Sequence, residues 1–577
     1  MFKLFKRFKP VDWCLVALLV GVVVAQVYFD VTLPGYTSQI VREMTAAGAT
    51  WRSILNIGGT MLLLALGSMV CTVIAGYIAA FLASKFSGKL RGDVFKKVQS
   101  FSFEETSRFS TASLITRSTN DVQQVQTAVM MILRMAISAP ITAVWAIMKI
   151  NASSGELTLA TAAAVVILVV FIVGMFVVVL PKFKLIQKLT DKLNGVTREN
   201  LTGLRVVKAY NADGYEERKF EKTNTEISKT NLFVNRVMGL MQPVMMLVMN
   251  GISLAIYWLG ATLINQGSLD YATMMAFSML TMQVLMSFMM LTMLFVMVPR
   301  AAVSAKRINE ILESDITVKD PDEGIPFVTE GEVEFKNVRF KYPGADDYVL
   351  DGISFKVERG KVAAVIGSTG SGKSTLVNLV PRFYDATEGE VLVDGVNVKD
   401  VKQEALHEKI GYVPQNSVLF SGSVRSNIAY GNADLSQDGL EKSAELAMAD
   451  GFINDMDGGY DAPIAQGGKN ISGGQKQRLS IARAAAFNPE IFIFDDSFSA
   501  LDYKTDRAVR ANLKEQTAHT TGLIVAQRIG TIMDADMIVV LEHGKMVGKG
   551  THKELLQDCD VYREIALSQL SGEELGL

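Results

Sequence analysis

The chain has 577 residues, 49% of them hydrophobic, and its mean hydropathy is positive at +0.25. This length excludes a single domain, and this composition indicates a membrane protein with a soluble part. A net charge of −2 excludes a globally basic surface for nucleic acid. The three cysteines, Cys14, Cys71 and Cys559, have the spacing of neither a metal site nor a disulfide framework.

The first residues of the chain alternate between basic and apolar side chains. The basic ones are Lys3, Lys6, Arg7 and Lys9, and the apolar ones are Phe2, Leu4, Phe5 and Phe8. We predict that residues 1–12 form an amphipathic N-terminal elbow that lies on the anionic inner surface of a bilayer.

Six apolar segments follow, each with about the 20 residues that are needed to cross a bilayer. They are residues 13–33, 54–82, 129–150, 157–180, 237–264 and 271–298. We therefore predict an all-α, six-helix transmembrane domain over residues 13–300. Two long connections, 83–128 and 181–236, are rich in Lys and Arg, so the positive-inside rule places them and the N-terminus in the cytoplasm.

Both long connections keep helical periodicity and contain few Gly or Pro residues. We read them as cytoplasmic helical extensions of the spans. Each pair of extensions must turn at its far end, and the candidate turns are residues 109–114 and 210–215. A short transverse helix that contacts the second part of the chain and a plain hairpin turn explain these two stretches equally well.

A change in composition marks the end of the membrane part. Residues 301–330 begin as a helical pattern and then become acidic, with Pro321 and Gly324, which is typical of a linker. From Gly331 to the C-terminus, short β-branched runs alternate with helical patterns. We predict a separate α/β domain over residues 331–577.

The strongest motif lies in this second part. Residues 367–375 read G-x-x-x-x-G-K-S-T after an apolar strand and before a helical pattern, which is the context that a phosphate-binding loop requires. Lys373 is expected to reach the β- and γ-phosphates and Ser374 to bind Mg²⁺. The whole loop comprises Gly367, Ser368, Thr369, Gly370, Ser371, Gly372, Lys373, Ser374 and Thr375. With this loop, the α/β domain over residues 331–577 is predicted to be a nucleotide-binding domain.

Three further stretches follow in order. Gln415 comes after a β-run and a proline, where it can sense Mg²⁺ or the attacking water. Ser472, Gly473, Gly474 and Gln475 form a glycine-rich turn before a helix, which suits a γ-phosphate. The apolar strand 491–494 ends at Asp495, which can hold Mg²⁺ through water.

Together, these motifs resemble the ATP-binding cassette exporters whose membrane and nucleotide-binding domains are fused in one chain. The resemblance covers nearly the whole sequence, and it implies that Tyr342 stacks on adenine. It also implies two such halves, with ATP held between the phosphate loop of one and the Ser472–Gln475 signature turn of the other. A loop that crosses between the two nucleotide-binding domains is implied at Ser499, Ala500, Leu501 and Asp502.

Two positions depart from an active member of this family. Asp496 stands where the family has a general-base glutamate, and its carboxylate is one methylene shorter. Losing a general base typically slows a reaction about 10²–10⁴-fold. Gln527 stands where the family has a histidine that contacts the γ-phosphate, and an amide carries no charge at neutral pH.

These observations predict a half-transporter that binds Mg·ATP tightly but hydrolyses it poorly at its own site. Its signature turn, intact apart from Ile471 where the family has a leucine, would complete the catalytic site of a different half-transporter in a heterodimer. The predicted activity is export of drug-like, lipid or peptide substrates from the cytoplasm across the cell membrane. The methionines of spans five and six favour apolar ligands, although packing or lipid contact explains them equally. The alternative is an ATP-gated channel or sensor.

Overall fold

The structure is a computed structural model that describes residues 7–46, 50–151, 155–326, 331–432, 434–516 and 519–575. The chain divides into two compact units. The first comprises Met1–Gln99 and Thr111–Glu313, and the second comprises Ser100–Ser110 and Ser314–Leu577. The segment Ser100–Ser110 thus belongs to the second unit, although it lies within the helical part of the sequence.

Helices, most of them long, build the first unit. They are α1 (Pro10–Thr45), α2 (Trp51–Gln99), α4 (Thr111–Ser118), α5 (Asn120–Met131), α6 (Ile137–Asn151), α7 (Gly155–Thr202), α8 (Leu204–Ala209), α9 (Asp213–Gly239), α10 (Met241–Asn265) and α11 (Tyr271–Leu312), and a π-helical turn, Ile132–Ala136, joins α5 to α6. Within the described residues, six helical segments are long and apolar enough to span a membrane. The predicted six-helix transmembrane domain is therefore confirmed.

The helices are much longer than a bilayer requires. Helix α2 has 49 residues. At a rise of 1.5 Å per residue it is roughly 70 Å long, more than twice the hydrocarbon thickness. The predicted helical extensions are therefore present. The sixth helix, α11, runs on to Leu312, so the helical start of the predicted linker is a continuation of the last span.

Both predicted cytoplasmic turns contain a short helix, but the helices precede the positions that we assigned. The first is α3 (Phe103–Phe109), and the second is α8. Residues 109–114 and 210–215 instead mark helix ends, because Ser110 and Asn211 adopt positive φ angles of 50° and 51°. The sequence pattern located the two turns but placed the short helices about six residues too late.

The start of α1 is tied to α2 through charged groups. Pro10 opens the helix, and the Asp12 carboxylate accepts hydrogen bonds from the Lys9 backbone N–H at 2.9 Å and from Lys85 Nζ at 2.6 Å. Arg7 pairs with Asp93. Residues 1–6 of the predicted elbow and residues 327–330 of the predicted linker lie outside the described residues.

The second unit contains two main sheets. The strands are β1 (Val333–Phe340), β2 (Leu350–Val357), β3 (Val362–Gly367), β4 (Glu388–Val393), β5 (Val396–Asn397), β6 (Ile410–Val413), β7 (Gly422–Ser423), β8 (Pro463–Ile464), β9 (Ile491–Asp495), β10 (Thr521–Val525), β11 (Met537–Glu542) and β12 (Lys545–Gly550). The four-stranded sheet has the order β2-β1-β4-β5, and the six-stranded sheet has the order β12-β11-β3-β10-β9-β6.

Helices cover the sheets and complete the predicted α/β architecture. They are α12 (Lys373–Asn378), α13 (Gln403–Glu408), α14 (Val424–Ile428), α15 (Gln437–Leu446), α16 (Asp450–Asn454), α17 (Gly473–Ala485), α18 (Tyr503–Gln516), α19 (Ile529–Ile532), α20 (His552–Asp558), α21 (Asp560–Leu567) and α22 (Gly572–Leu575). Strands β3, β10, β9 and β6 pair in parallel, and β9 and β10 are buried throughout. This burial on both faces is typical of a parallel sheet between helices.

Candidate nucleotide site

The parallel strands position the site, because their carboxyl ends meet at one edge of the sheet. Strand β3 leads into the phosphate loop, β6 leads to Gln415, β9 ends at Asp495, and β10 leads to Gln527. Four stretches that are up to 160 residues apart in the sequence are thereby brought to the same edge.

Glycine is required at two positions of the phosphate loop. Gly372 has a φ of +96°, and a Cβ there would lie 2.9 Å from the Val349 carbonyl oxygen. A Cβ on Gly367 would collide with the carbonyl oxygen of Leu541. Only a residue without a side chain allows the backbone to turn this tightly and approach its neighbours this closely.

Lys373 lies in the mouth of the loop and is largely buried. Its ammonium group donates hydrogen bonds of 2.8 Å to the carbonyl oxygens of Gly367 and Ser368. Burial lowers the pKa of this amine, and the carboxylates of Asp496 and Asp495 oppose that shift. The lysine is therefore held in place by the loop, where an incoming phosphate would gain a preoriented positive charge.

Replacing Lys373 tests the loop directly. We expect Lys373→Ala to weaken binding of Mg·ATP about 10- to 100-fold, because charge-assisted hydrogen bonds to phosphate are lost. Titration of the purified chain with a fluorescent ATP analogue measures this affinity. Lys361→Ala is the matched control, since Lys361 pairs with Asp536 away from the loop. Equal affinities for the two variants would contradict the assignment.

Ser374 and Asp495 meet at the position expected for a magnesium site. Ser374 Oγ donates a hydrogen bond of 2.7 Å to Asp495 Oδ1. Burial raises the pKa of Asp495, the nearby Asp496 carboxylate adds to that shift, and the Ser374 bond opposes it. A hydroxyl and a carboxylate beside a phosphate pocket form an oxygen donor set that fits Mg²⁺. When bound, Mg²⁺ would neutralise charge on the β- and γ-phosphate oxygens.

Gln415, Asp496 and Gln527 form a second group, which we call the Asp496 cluster. Gln527 Nε2 lies 2.7 Å from Asp496 Oδ2, and Gln415 Nε2 lies 3.3 Å from the same oxygen. Both amides therefore donate to one carboxylate oxygen. The amide of Gln415, which we also predicted as a magnesium ligand, faces Asp496 through its nitrogen. Burial raises the pKa of Asp496, and the bonds from Gln415 and Gln527 lower it.

The signature turn has the geometry of an exposed helix N-terminus. Ser472 caps helix α17, and its side chain and that of Gln475 form a reciprocal capping box. Ser472 and Gly473 are exposed, and a Cβ on Gly473 would touch nothing within 4 Å. Free backbone N–H groups and the helix dipole make this end attractive to an anion.

The stretch from Ser499 to Asp502 forms an ordered loop after β9. Ser499 Oγ donates a hydrogen bond of 2.9 Å to the Asp496 carbonyl, and the guanidinium of Arg528 donates to the carbonyls of Ser499 and Leu501 at 3.2 and 3.5 Å. Ser499 and Ala500 are exposed at the tip. The sequence analysis did not single out Arg528; its place directly after Gln527 was the available signal.

Tyr342 lies in an aromatic group beside the loop. Its hydroxyl is 3.0 Å from Thr375 Oγ1, and its ring meets those of Phe340 and Tyr384 edge-on at 5.0 and 5.4 Å. The sequence analysis missed Tyr384, because no motif spacing marks it.

Comparison with known proteins agrees with this arrangement. Residues 15–288 match the ABC transporter transmembrane region, and residues 350–499 match the ABC transporter domain. An uncharacterized ABC transporter ATP-binding protein from Mycobacterium tuberculosis is 39% identical, with 97% of each chain covered. Another from Bacillus subtilis is 36% identical, with 91% of this chain and 90% of the relative covered.

A solved structure has the same fold over its whole length. It is a bacterial Atm1-family ABC exporter with ATP bound, to which this chain is 26% identical, with a TM-score of 0.81 and 97% and 98% of the two chains covered. Full-length similarity on this scale extends to both units. The chain therefore belongs to the ATP-binding cassette transporter family and is an ATP-hydrolysing exporter half-transporter, homologous to the Atm1-family exporters.

Proposed function

We propose that this chain is the poorly hydrolysing subunit of a heterodimeric exporter in the cell membrane. Residues 367–375 hold Mg·ATP, with adenine stacked on Tyr342, and the signature turn completes the catalytic site of a different half-transporter. The N-terminus and the nucleotide-binding domain face the cytoplasm. The exported substrates are amphipathic, either drug-like molecules, lipids or peptides.

The contact of Gln527 with Asp496 carries this proposal. A general base must reach the attacking water and be basic enough to take up its proton. Here the side chain is one methylene shorter than glutamate, and the two amides that donate to its Oδ2, at 2.7 and 3.3 Å, lower its affinity for a proton. Neither glutamine takes up a proton at neutral pH, so the Asp496 cluster supports ATP retention rather than hydrolysis.

The signature turn supports the second half of the proposal. It retains an exposed, capped helix N-terminus, an arrangement that attracts anions. In the family arrangement this turn serves the phosphate loop of the other half. A chain with a complete signature turn and an impaired catalytic group is best explained by a partner of a different sequence.

The test compares ATP hydrolysis by this chain purified alone with hydrolysis by the assembly that co-purifies with it. We expect negligible turnover by the chain alone and at least about 10²-fold faster turnover by the assembly, in line with loss of a general base. Lys373→Ala should leave most of the assembly's turnover intact. Fast turnover by the chain alone that Lys373→Ala abolishes would overturn the proposal. Uphill, ATP-dependent substrate movement into vesicles distinguishes export from an ATP-gated channel.

A further inference from the structure

A carboxylate lies within the first membrane span. Asp30 belongs to helix α1 and to the apolar run 13–33 that we assigned to that span. It lies about 25 Å along the helix from Trp13, which is within the hydrocarbon thickness of a bilayer. An ionisable group at this depth is costly, and such groups usually face a polar cavity and mark the path of a substrate or ion. Neither the nucleotide site nor the signature turn uses Asp30.

A proline opens the backbone of α1 at the same level. Pro34 lies inside the helix and has no N–H, so the Asp30 carbonyl four residues earlier loses its usual intrahelical donor. Gln283 Nε2 of α11 donates to that carbonyl oxygen instead, at 2.9 Å. The next carbonyl, that of Val31, accepts a hydrogen bond of 3.2 Å from Lys149 Nζ of α6. Side chains from two other helices therefore meet the carbonyl oxygens of α1 at this point.

Acceptor oxygens outnumber donors around Asp30. Ser68 Oγ of α2 donates to Asp30 Oδ1, and the carboxylate makes no other hydrogen bond or ion pair with a described residue. Gln283 Oε1 belongs to the amide that contacts Asp30, is buried, and has no hydrogen-bond partner among the described residues. A buried acceptor without a donor costs free energy. A ligand that brings N–H groups and a positive charge would recover that cost.

Aromatic rings flank the carboxylate. Tyr28, two positions before Asp30, is 48% exposed, and its ring centroid lies 5.7 Å from that of Trp145 on α6. Phe29 packs so closely on α2 that a Cβ on Gly67 would lie 3.1 Å from its ring. Aromatic rings attract organic cations and bury the apolar part of an amphiphile. These surroundings favour an amphipathic organic cation over a metal ion.

We propose that Asp30 is a specificity-determining residue that binds the protonated amino group of exported amphiphiles. This inference rests on the proposed export of amphipathic substrates, and it narrows them to lipophilic amines that carry at least one N–H. The carboxylate supplies the charge, the amide oxygen of Gln283 accepts a further hydrogen bond, and the aromatic rings contact the apolar part. An ammonium group already lies at this level of α1, since Lys149 Nζ donates to the Val31 carbonyl.

The test measures binding to the co-purified assembly in phosphatidylcholine nanodiscs, with the signal of empty nanodiscs subtracted and no nucleotide added. The probes are dodecylamine with a dansyl group at its far end and the N-acetylated form of the same molecule, which is neutral. The amine should bind about 10- to 100-fold more tightly, as expected for a charge-assisted hydrogen bond. Asp30→Asn keeps an acceptor for Ser68 and should remove this preference, while affinity for the acetylated probe stays within about twofold.

Two controls separate the charge from its surroundings. Asp30→Glu keeps the carboxylate and should retain the preference. Glu43→Gln removes a carboxylate from the same helix, beyond the apolar run, and should also retain it. If Asp30→Asn fails to fold, Gln283→Met removes the amide oxygen and must reduce the preference at least about threefold, the effect of one hydrogen bond.

The outcomes distinguish this inference from the proposed function. Equal affinities of the two probes for the unsubstituted assembly overturn the inference, and so does a preference that survives Asp30→Asn. These measurements use no nucleotide, so they are independent of ATP hydrolysis. Fast ATP turnover by the chain alone would overturn the proposed function without changing the preference for the amine.

Discussion

The substitution Gly473→Asp should reduce ATP hydrolysis by the assembled exporter about 10²–10³-fold, the cost of losing one preorganised donor to a charged transition state. Mg·ATP binding by this chain alone should be unchanged. This separation is expected because, in the proposed heterodimer, the signature turn acts on the phosphate loop of the other half. A carboxylate at this helix N-terminus replaces the attraction for the γ-phosphate with repulsion.

We expect the folded chain to tolerate this substitution. A Cβ on Gly473 meets nothing within 4 Å, the residue is exposed, and an acidic residue is favourable in the first turn of a helix. Gly451→Asp is the matched control, because Gly451 is also an exposed helical glycine with nothing within 4 Å of an added Cβ. It should leave hydrolysis within about twofold, as surface substitutions usually do.

Measurement of steady-state phosphate release by both co-purified variants checks the prediction. Hydrolysis that survives Gly473→Asp would mean that α17 does not face a phosphate in the working assembly. An equal loss in Gly451→Asp would assign the effect to folding instead.

The second large effect should come from restoring the two residues at which this chain departs from its family. We expect Asp496→Glu with Gln527→His to raise hydrolysis at this chain's own site about 10²–10⁴-fold, the range for a general base. The longer carboxylate gains reach, and histidine removes the nearer of the two amide donors, which lies 2.7 Å from Asp496 Oδ2.

The single substitutions should give much less than the pair. With Asp496→Glu alone, Gln527 still donates to the carboxylate, and with Gln527→His alone, the carboxylate stays short. Groups that act as a unit are strongly non-additive in this way. Position 496 also has a φ of +49°, which aspartate tolerates better than glutamate, so the change should lower stability by about 1 kcal/mol.

The identity of the nucleotide retained on this chain provides the measurement. A photoreactive ATP analogue labelled on its α-phosphate should remain a triphosphate on the unsubstituted chain and become a diphosphate on the double variant. Lys373→Ala should reduce labelling in both backgrounds, in line with its weaker binding of Mg·ATP. Diphosphate on the unsubstituted chain would show that Asp496 already works as a base, and the asymmetric assignment would fail.

Hydropathy and local motifs were sufficient to predict the architecture and the phosphate loop. An apolar run of about 20 residues predicts a membrane span without reference to the rest of the chain, because its helical length matches the bilayer and a helix satisfies its backbone polar groups within the segment. The loop at 367–375 is equally local, since its glycines, lysine and serine act within one strand–loop–helix unit. The roles of Gln415, Tyr342, the signature turn and residues 499–502 stay predictions that follow from family resemblance.

The sequence by itself determined the fold class, the six spans, the phosphate loop and the two unusual residues Asp496 and Gln527, because each is readable within a short window. Tertiary structure decided the rest. It placed both amides on one oxygen of Asp496, since the register of the parallel strands β6, β9 and β10 determines which side chains share an edge. It also placed α3 beside the nucleotide site, through contacts of Phe103 and Glu105 with residues more than 200 positions away, which no local pattern encodes.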